Sequence, residues 1–205
     1  MRAVIMSIVV LSGLVVGVAG CPYQVPLYDY SQEPDPRNKE LVLGVGDTIA
    51  INVWENRDLN TETTIRADGT ITMPLVGDLK AAGETPSALK GQIAKRIVEF
   101  VKLAPGNSEL VTVAVKAWKS YRFTLQGEVV RQGVFTSDQF VTVSDAIAMA
   151  GGLTRFAKRA EVKLFRADPK TKEVRTIPLD YDALSSGKRL DMNIYVLAGD
   201  TIYVP

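Results

Sequence analysis

The apolar positions in the first half of the chain follow two different periods. Residues 48–54 have the two-residue period of a half-buried strand, whose apolar face holds Ile49, Ile51 and Val53. Residues 86–101 have the four-residue period of a helix, whose apolar face holds Leu89, Ile93, Ile97 and Val101. Thr85 can cap this helix, and Pro86 suits its first position. Residues 111–118 return to a strand pattern, so this half predicts several strands around one helix.

The second half shows a similar mixture of strand patterns and one helix. The strand patterns cover residues 121–126, 133–136, 161–165, 173–177, 195–197 and 201–204. Thr142 caps a short helix, and Asp145 lies in its first turn near the positive end of the helix dipole. Gly151 and Gly152 end this helix. The two halves together predict an α+β fold of two units, each a small sheet with one main helix.

Aspartate and glycine pairs mark the predicted turns. Asp68-Gly69 predicts a hairpin with a type I′ turn between residues 63–66 and residues 70–73. The tetrapeptide Gly46-Asp47-Thr48-Ile49 returns as Gly199-Asp200-Thr201-Ile202, each time at the start of a strand, but it is too short to indicate a duplication. An aspartate at a turn can hydrogen-bond its own backbone. We therefore assign Asp47, Asp68 and Asp200 to turns rather than to a carboxylate site.

Residues 1–20 have the features of an export signal. Arg2 is the only charge before Asp29, and an apolar run follows it up to the small residues Val18-Ala19-Gly20. Cys21 comes next, so this segment resembles a bacterial lipobox. The resemblance implies a lipoprotein signal peptide over residues 1–20 and acyl chains such as palmitate on Cys21. An uncleaved membrane anchor and a signal peptide with an incidental cysteine are the alternatives, although the apolar run barely reaches the length of a membrane span.

Residues 21–40 contain four prolines and show neither a helical nor a strand period. This composition predicts a semi-extended tether between the lipid and the folded part. The three tyrosines of the segment leave a second possibility open, in which it packs on a neighbouring subunit. Pro22 stands where an aspartate would signal retention in the inner membrane. We therefore expect a lipid-anchored protein on the periplasmic face of the outer membrane.

The composition of the 205 residues removes whole classes of chemistry. The chain has no histidine and one cysteine, which excludes a Ser-His-Asp triad, an imidazole metal site and an intrachain disulfide within it. Its net charge of +1 gives no basic footprint for nucleic acid. No motif brings a nucleophile, a base and an oxyanion partner together. We predict no catalytic residue, no metal, no cofactor and no nucleic-acid partner.

Two aromatic side chains are candidates for sugar stacking. Trp54 and Trp118 both fall in strand patterns, which favours the core or an interface for them. Gly151-Gly152 follows a helix instead of preceding one, so it lacks the geometry of a phosphate-binding loop.

Longer motifs resemble the outer-membrane polysaccharide export family, the Wza-type lipoproteins of capsule and exopolysaccharide secretion. Residues 43–54 are similar to the opening strand of that family, and residues 68–79 with the following helix are similar to its core motif. The resemblance implies a polysaccharide export domain over residues 41–118 and a soluble-ligand-binding β-grasp (SLBB) domain over residues 119–205. The residues that match the family motifs are Gly46, Asp47, Asp68, Gly69, Pro74, Gly77, Gly127, Gly151, Gly152, Gly199 and Asp200.

The resemblance implies a non-catalytic part of an export channel. Cys21 would tether a ring-shaped homo-oligomer, with an octamer as the candidate size, to the outer membrane. The export domains would line a passage for the polysaccharide that comes from an inner-membrane polysaccharide copolymerase. Longer family members form the exit pore with a C-terminal amphipathic helix, whereas this sequence ends at Pro205 after a strand pattern. We therefore expect a separate outer-membrane β-barrel partner.

A binding module is the alternative function. In that hypothesis a monomeric periplasmic lipoprotein holds a small ligand or glycan through its β-grasp domain. An enzyme that acts on the glycan is a distant third, because the chain lacks histidine and shows no paired carboxylates.

Overall fold

The computed structural model of the chain describes residues 26–100, 110–168 and 171–205. The predicted signal peptide, Cys21 and Val101 lie outside these residues. The described chain has two hydrophobic cores, one formed within residues 43–111 and one formed within residues 121–204 together with Tyr30. The predicted α+β fold of two units is confirmed. The exact boundaries between signal peptide, tether and domains stay a prediction. No helix of the described ranges is both long and apolar enough to cross a bilayer.

The first unit consists of a small sheet, a hairpin and one helix. Its elements are β1 (Thr48–Val53), β2 (Thr61–Thr64), β3 (Thr70–Met73), β4 (Gly77–Lys80), α1 (Pro86–Ile97) and β5 (Val111–Ala117). The antiparallel sheet has the order β2-β1-β5, and β3 pairs with β4. Helix α1 begins as predicted, because Thr85 Oγ1 accepts a hydrogen bond from Ala88 N at 3.2 Å. Its face of Leu89, Ile93 and Ile97 is fully buried.

The prediction that the strands on either side of Asp68-Gly69 pair as a hairpin is wrong, although the turn between them forms. The turn forms, since Gly69 N donates to Arg66 O at 2.8 Å, but only Gly69 of the pair has a positive φ and the turn is not type I′. Strand β2 pairs with β1 instead, because Ile65 exchanges backbone hydrogen bonds with Gly46 and Asp47 at 2.9 and 2.8 Å. Strand β3 is thereby left to pair with β4.

The second unit is a mixed five-stranded sheet with two helices. Its elements are β6 (Arg122–Gly127), β7 (Gly133–Thr136), α2 (Val143–Met149), β8 (Val162–Ala167), β9 (Val174–Leu179), α3 (Tyr181–Ser185) and β10 (Thr201–Val204). The strand order is β7-β6-β10-β8-β9, with β10 parallel to β6. The predicted cap of α2 is confirmed, because Thr142 and Asp145 form a reciprocal capping box. The strand expected at residues 195–197 is wrong, since Tyr195 forms one isolated bridge with Thr142.

Part of the expected tether packs onto the second unit. Tyr30 is buried, and its hydroxyl donates to Pro178 O at 2.5 Å. Two short 3₁₀ turns, Tyr30–Gln32 and Pro36–Asn38, replace an extended run, and each is capped by the aspartate before it. Burial of an aromatic ring favours this docking. Tyr28 and Tyr30 therefore pack within their own chain.

Candidate functional site

Asp47 joins the start of β1 to the segment between the two units. Its buried carboxylate accepts hydrogen bonds from Gly44 N at 2.8 Å, from Ser120 N at 2.7 Å and from Ser120 Oγ at 2.8 Å. Asp47 N donates to Gly44 O at 3.2 Å and closes the same turn. The predicted turn role is confirmed. The contact with Ser120 gives this aspartate a second role that the turn pattern did not indicate.

Asp200 forms the equivalent turn before β10. Its carboxylate accepts a hydrogen bond from Leu197 N at 2.7 Å, and Asp200 N donates to Leu197 O at 3.1 Å. The remaining partner is a charge, because Arg166 donates to Asp200 from Nε at 3.1 Å and from Nη2 at 2.6 Å. Burial raises the pKa of the Asp200 carboxyl, and the bonds from Arg166 offset part of the rise.

Arg166 is the centre of a buried ionic cluster that the sequence analysis missed. Besides Asp200, its guanidinium donates to Glu33 Oε2 at 2.5 Å and to Tyr195 O at 2.7 Å. Glu33 also accepts from Arg175 Nη2 at 3.0 Å and from the hydroxyl of Tyr28. Burial and the neighbouring Glu33 raise the pKa of Tyr28 to about 12. The cluster therefore fixes the segment before the first unit to the sheet of the second unit.

Asp68 and Pro74, two motif residues at the β3–β4 hairpin, lie at the surface. Asp68 accepts hydrogen bonds from Thr70 Oγ1 at 2.6 Å and Thr70 N at 2.9 Å, which lower the pKa of its carboxyl and confirm its turn role. Pro74 begins a tight turn at the tip of the hairpin, where Val76 N donates to Pro74 O at 2.7 Å. Leu75 at the centre of this γ-turn has a φ of 64°, a strained conformation for a leucine.

The other motif residues shape turns at separate places. All seven glycines among them have a positive φ: Gly46, Gly69, Gly77, Gly127, Gly151, Gly152 and Gly199. Gly127 also permits a close approach of two strands, since a Cβ there would lie 1.9 Å from Val204 O. Gly152 O accepts from Val130 N at 3.0 Å, which holds the end of α2 near the end of β6. The motif residues thus stabilise the two folds and do not converge on one site.

An open groove of about 1080 Å³ lies at the end of β1. Trp54, with 68% of its surface exposed, lines it together with Leu75 and Phe100. The core placement considered for Trp54 is therefore wrong, whereas Trp118 is half-buried and stacks on Tyr121 with ring centroids 4.6 Å apart. The exposure agrees with strand alternation, because Val53 faces the core and Trp54 lies on the same side as the exposed Asn52. No group of three metal-ligating side chains occurs within the described ranges.

Comparisons with known proteins match both units. Residues 35–116 match the polysaccharide biosynthesis/export protein family, and residues 122–177 match the SLBB domain. The chain thus carries the export domain of this family, followed by an SLBB domain. The family resemblance inferred from the motifs is confirmed, and the two units are its export domain and its SLBB domain. The matched family is one of polysaccharide export, in agreement with the prediction that the chain is not an enzyme.

Several relatives are export proteins of capsule or exopolysaccharide. The capsule polysaccharide export protein BexD of Haemophilus influenzae is 28% identical over 186 residues, which cover 78% of this chain and 42% of the relative. The capsule polysaccharide export outer membrane protein CtrA of Neisseria meningitidis is 26% identical, with the same two shares. EpsA of Ralstonia solanacearum, an EPS I polysaccharide export outer membrane protein, is 28% identical over 54% of this chain and 34% of its own length. The chain thus spans less than half the length of these relatives.

Proposed function

We propose that this protein is a lipid-anchored component of a capsule or exopolysaccharide export complex at the outer membrane. The observation that carries the proposal is the order of the two matched domains, export domain and then SLBB domain, in a chain similar to named export proteins. The protein forms part of the passage and performs no chemistry on the polymer. Its partners are the polysaccharide and an inner-membrane polysaccharide copolymerase.

The proposed passage is a ring of several copies of this chain. Exposed apolar side chains support an assembly, because a soluble surface seldom leaves several large ones together. Trp54, Leu75 and Phe100 line one groove of the export domain, and each has more than half of its surface exposed. Such a cluster is typical of a protein contact.

The proposed anchor is Cys21. The apolar run and the small residues before this cysteine support lipid attachment there, on the periplasmic face of the outer membrane. Two or more acyl chains on one residue hold a protein stably on a membrane. A Cys21→Ala variant should therefore leave the membrane fraction, and an unchanged membrane fraction would contradict the anchor.

A deletion strain tests the function. Cells without the gene should lose their surface polysaccharide, and a plasmid with the wild-type gene should restore it. Normal surface polysaccharide in the deletion strain would end the export proposal.

A monomeric binding lipoprotein is the second candidate, and one observation favours it. The SLBB domain has a groove of its own, about 520 Å³, beside β6 and β7. The mass of the detergent-purified protein separates the candidates, because a ring has a multiple of the monomer mass. A monomer at high concentration would favour the binding module.

A further inference from the structure

The five-stranded sheet of the SLBB domain has two unlike faces. The inner face carries the core, with Leu125, Leu164 and Ile202 fully buried in the three central strands. Side chains of successive strand residues alternate between faces. In each of these strands the residues that alternate with the buried ones therefore point outward. They are Arg122, Thr124 and Gln126 of β6, Lys163 and Phe165 of β8, and Thr201 and Tyr203 of β10.

The strand register places these outward residues side by side. Tyr203 lies between Gln126 of β6 and Lys163 of β8, and Thr201 lies between Thr124 and Phe165. The rings of Phe165 and Tyr203 stack with centroids 6.4 Å apart and an angle of 30° between them. The groove of about 520 Å³ runs along this edge of the face and is lined by Tyr203 and Gln126.

Polar groups on this face are free to bind a ligand. The side chains of Thr124, Gln126, Thr201 and the neighbouring Gln132 make no hydrogen bond to another described residue. A sugar ring presents an apolar C–H face and several hydroxyls, so it needs an aromatic ring together with amide or hydroxyl partners. Aromatic ring, amide and hydroxyl groups meet here within two adjacent rows of the sheet.

The charge of the face is one-sided. Arg122 and Lys163 point outward, and neither forms an ion pair with any residue of the described ranges. None of the five strands contains an aspartate or a glutamate. Two cations without an ion pair in the described ranges, on strands that carry no acid, make the face positive and complementary to an anionic polymer; the nearby Glu161 pairs with Lys158.

We infer that the outer face of the SLBB sheet binds an acidic polysaccharide, with the ring of Tyr203 as stacking platform and Lys163 as charge partner. The inference rests on the proposed export function and adds a site and a chemical class of substrate to it. Uronic-acid residues fit the face, because their carboxylates meet the cations while their rings lie on the aromatic pair.

Affinity electrophoresis of the purified full-length protein tests this site, with alginate in one gel and neutral dextran in another. Alginate should slow the wild-type protein, and dextran should slow it much less. Tyr203→Ala should weaken the alginate affinity about tenfold. Lys163→Gln should weaken it about threefold and flatten its dependence on salt.

Lys95→Gln is the matched control, since it removes one exposed lysine charge from the export domain and should bind like wild type. Equal retention of wild type and Tyr203→Ala, equal retention in both gels, or a change of oligomer mass in Tyr203→Ala would each overturn the inference. The last result would mean that a second copy covers the face. The deletion strain measures the export function separately, so lost export without alginate binding would reject this site alone.

Discussion

The same tetrapeptide opens a strand in each domain, yet its aspartate has neutral partners in one domain and a charged partner in the other. Asp47 accepts hydrogen bonds from Gly44 and Ser120, all of them from uncharged donors. Asp200 accepts one bond from Leu197 and shares the guanidinium of Arg166 with Glu33. The turn follows from local sequence, while the partner comes from far along the chain. The two sites should therefore respond very differently to substitution.

The largest effect should come from removing the charged partner of Asp200. Arg166→Met leaves the carboxylate of Asp200 buried without its cation and leaves Glu33 with only the half-exposed Arg175, and we expect a loss of about 3–5 kcal/mol in the free energy of unfolding. Urea unfolding of the purified protein measures it. Arg175→Met is the control, because Arg175 also contacts Glu33 but is 50% exposed, and it should lose at most about 1 kcal/mol. Equal losses of unfolding free energy in Arg166→Met and Arg175→Met would mean that the burial of the arginine does not determine the loss.

Removal of the Asp47 carboxylate, whose hydrogen-bond donors are all uncharged, should lower the free energy of unfolding by less. Asp47→Ala leaves two part-buried amide donors, those of Gly44 and Ser120, without their acceptor, and we expect a loss of about 2 kcal/mol in the free energy of unfolding. The same urea experiment checks this value. A loss as large as that of Arg166→Met would contradict the distinction between the two turns.

A smaller substitution measures the contribution of a single hydrogen bond to Asp47, the one from the Ser120 hydroxyl. Ser120→Ala removes one hydroxyl donor and keeps the backbone bond from residue 120 to Asp47, so we expect a loss of about 1 kcal/mol. A loss equal to that of Asp47→Ala would show that the hydroxyl alone carries the site.

The smallest and most specific effect concerns Tyr28 in the charged cluster. Its pKa is raised from 10.0 to about 12, so between these values the unfolded chain releases the phenol proton while the folded chain keeps it. Stability should therefore fall as the pH rises through this window, and below it Tyr28 contributes no pH dependence. Burial also raises the pKa of Tyr121, so phenolate absorbance should show a late-titrating component that becomes smaller by one tyrosine in Tyr28→Phe. An identical titration of the variant would contradict the cluster geometry.

Local sequence signals predicted the parts of this protein that local physics determines. The cap at Thr85, the capping box of Thr142 and Asp145, and the turn roles of Asp47, Asp68 and Asp200 all follow from neighbouring residues. Each involves a hydrogen bond that spans two or three positions. Such signals also sufficed for the fold class and for the family motifs.

Contacts between distant residues could not be found in this way. Glu33 lies 133 positions before Arg166, and Ser120 lies 73 positions after Asp47. Nothing near Glu33 distinguishes it from a solvated charge in a proline-rich segment. Strand β2 illustrates the same limit, because its pairing with β1 depends on backbone bonds to the Asp47 turn and not on its own alternation.

The most direct measurement of the central claim is the location of newly made polysaccharide after acute depletion of this protein. Cells are pulse-labelled with a sugar precursor, and labelled polymer is counted in the periplasm and at the surface. A passage component predicts unchanged total label and chain length, with the polymer moved from the surface to the periplasm. Halted synthesis, altered chain length or undiminished surface label would contradict the account.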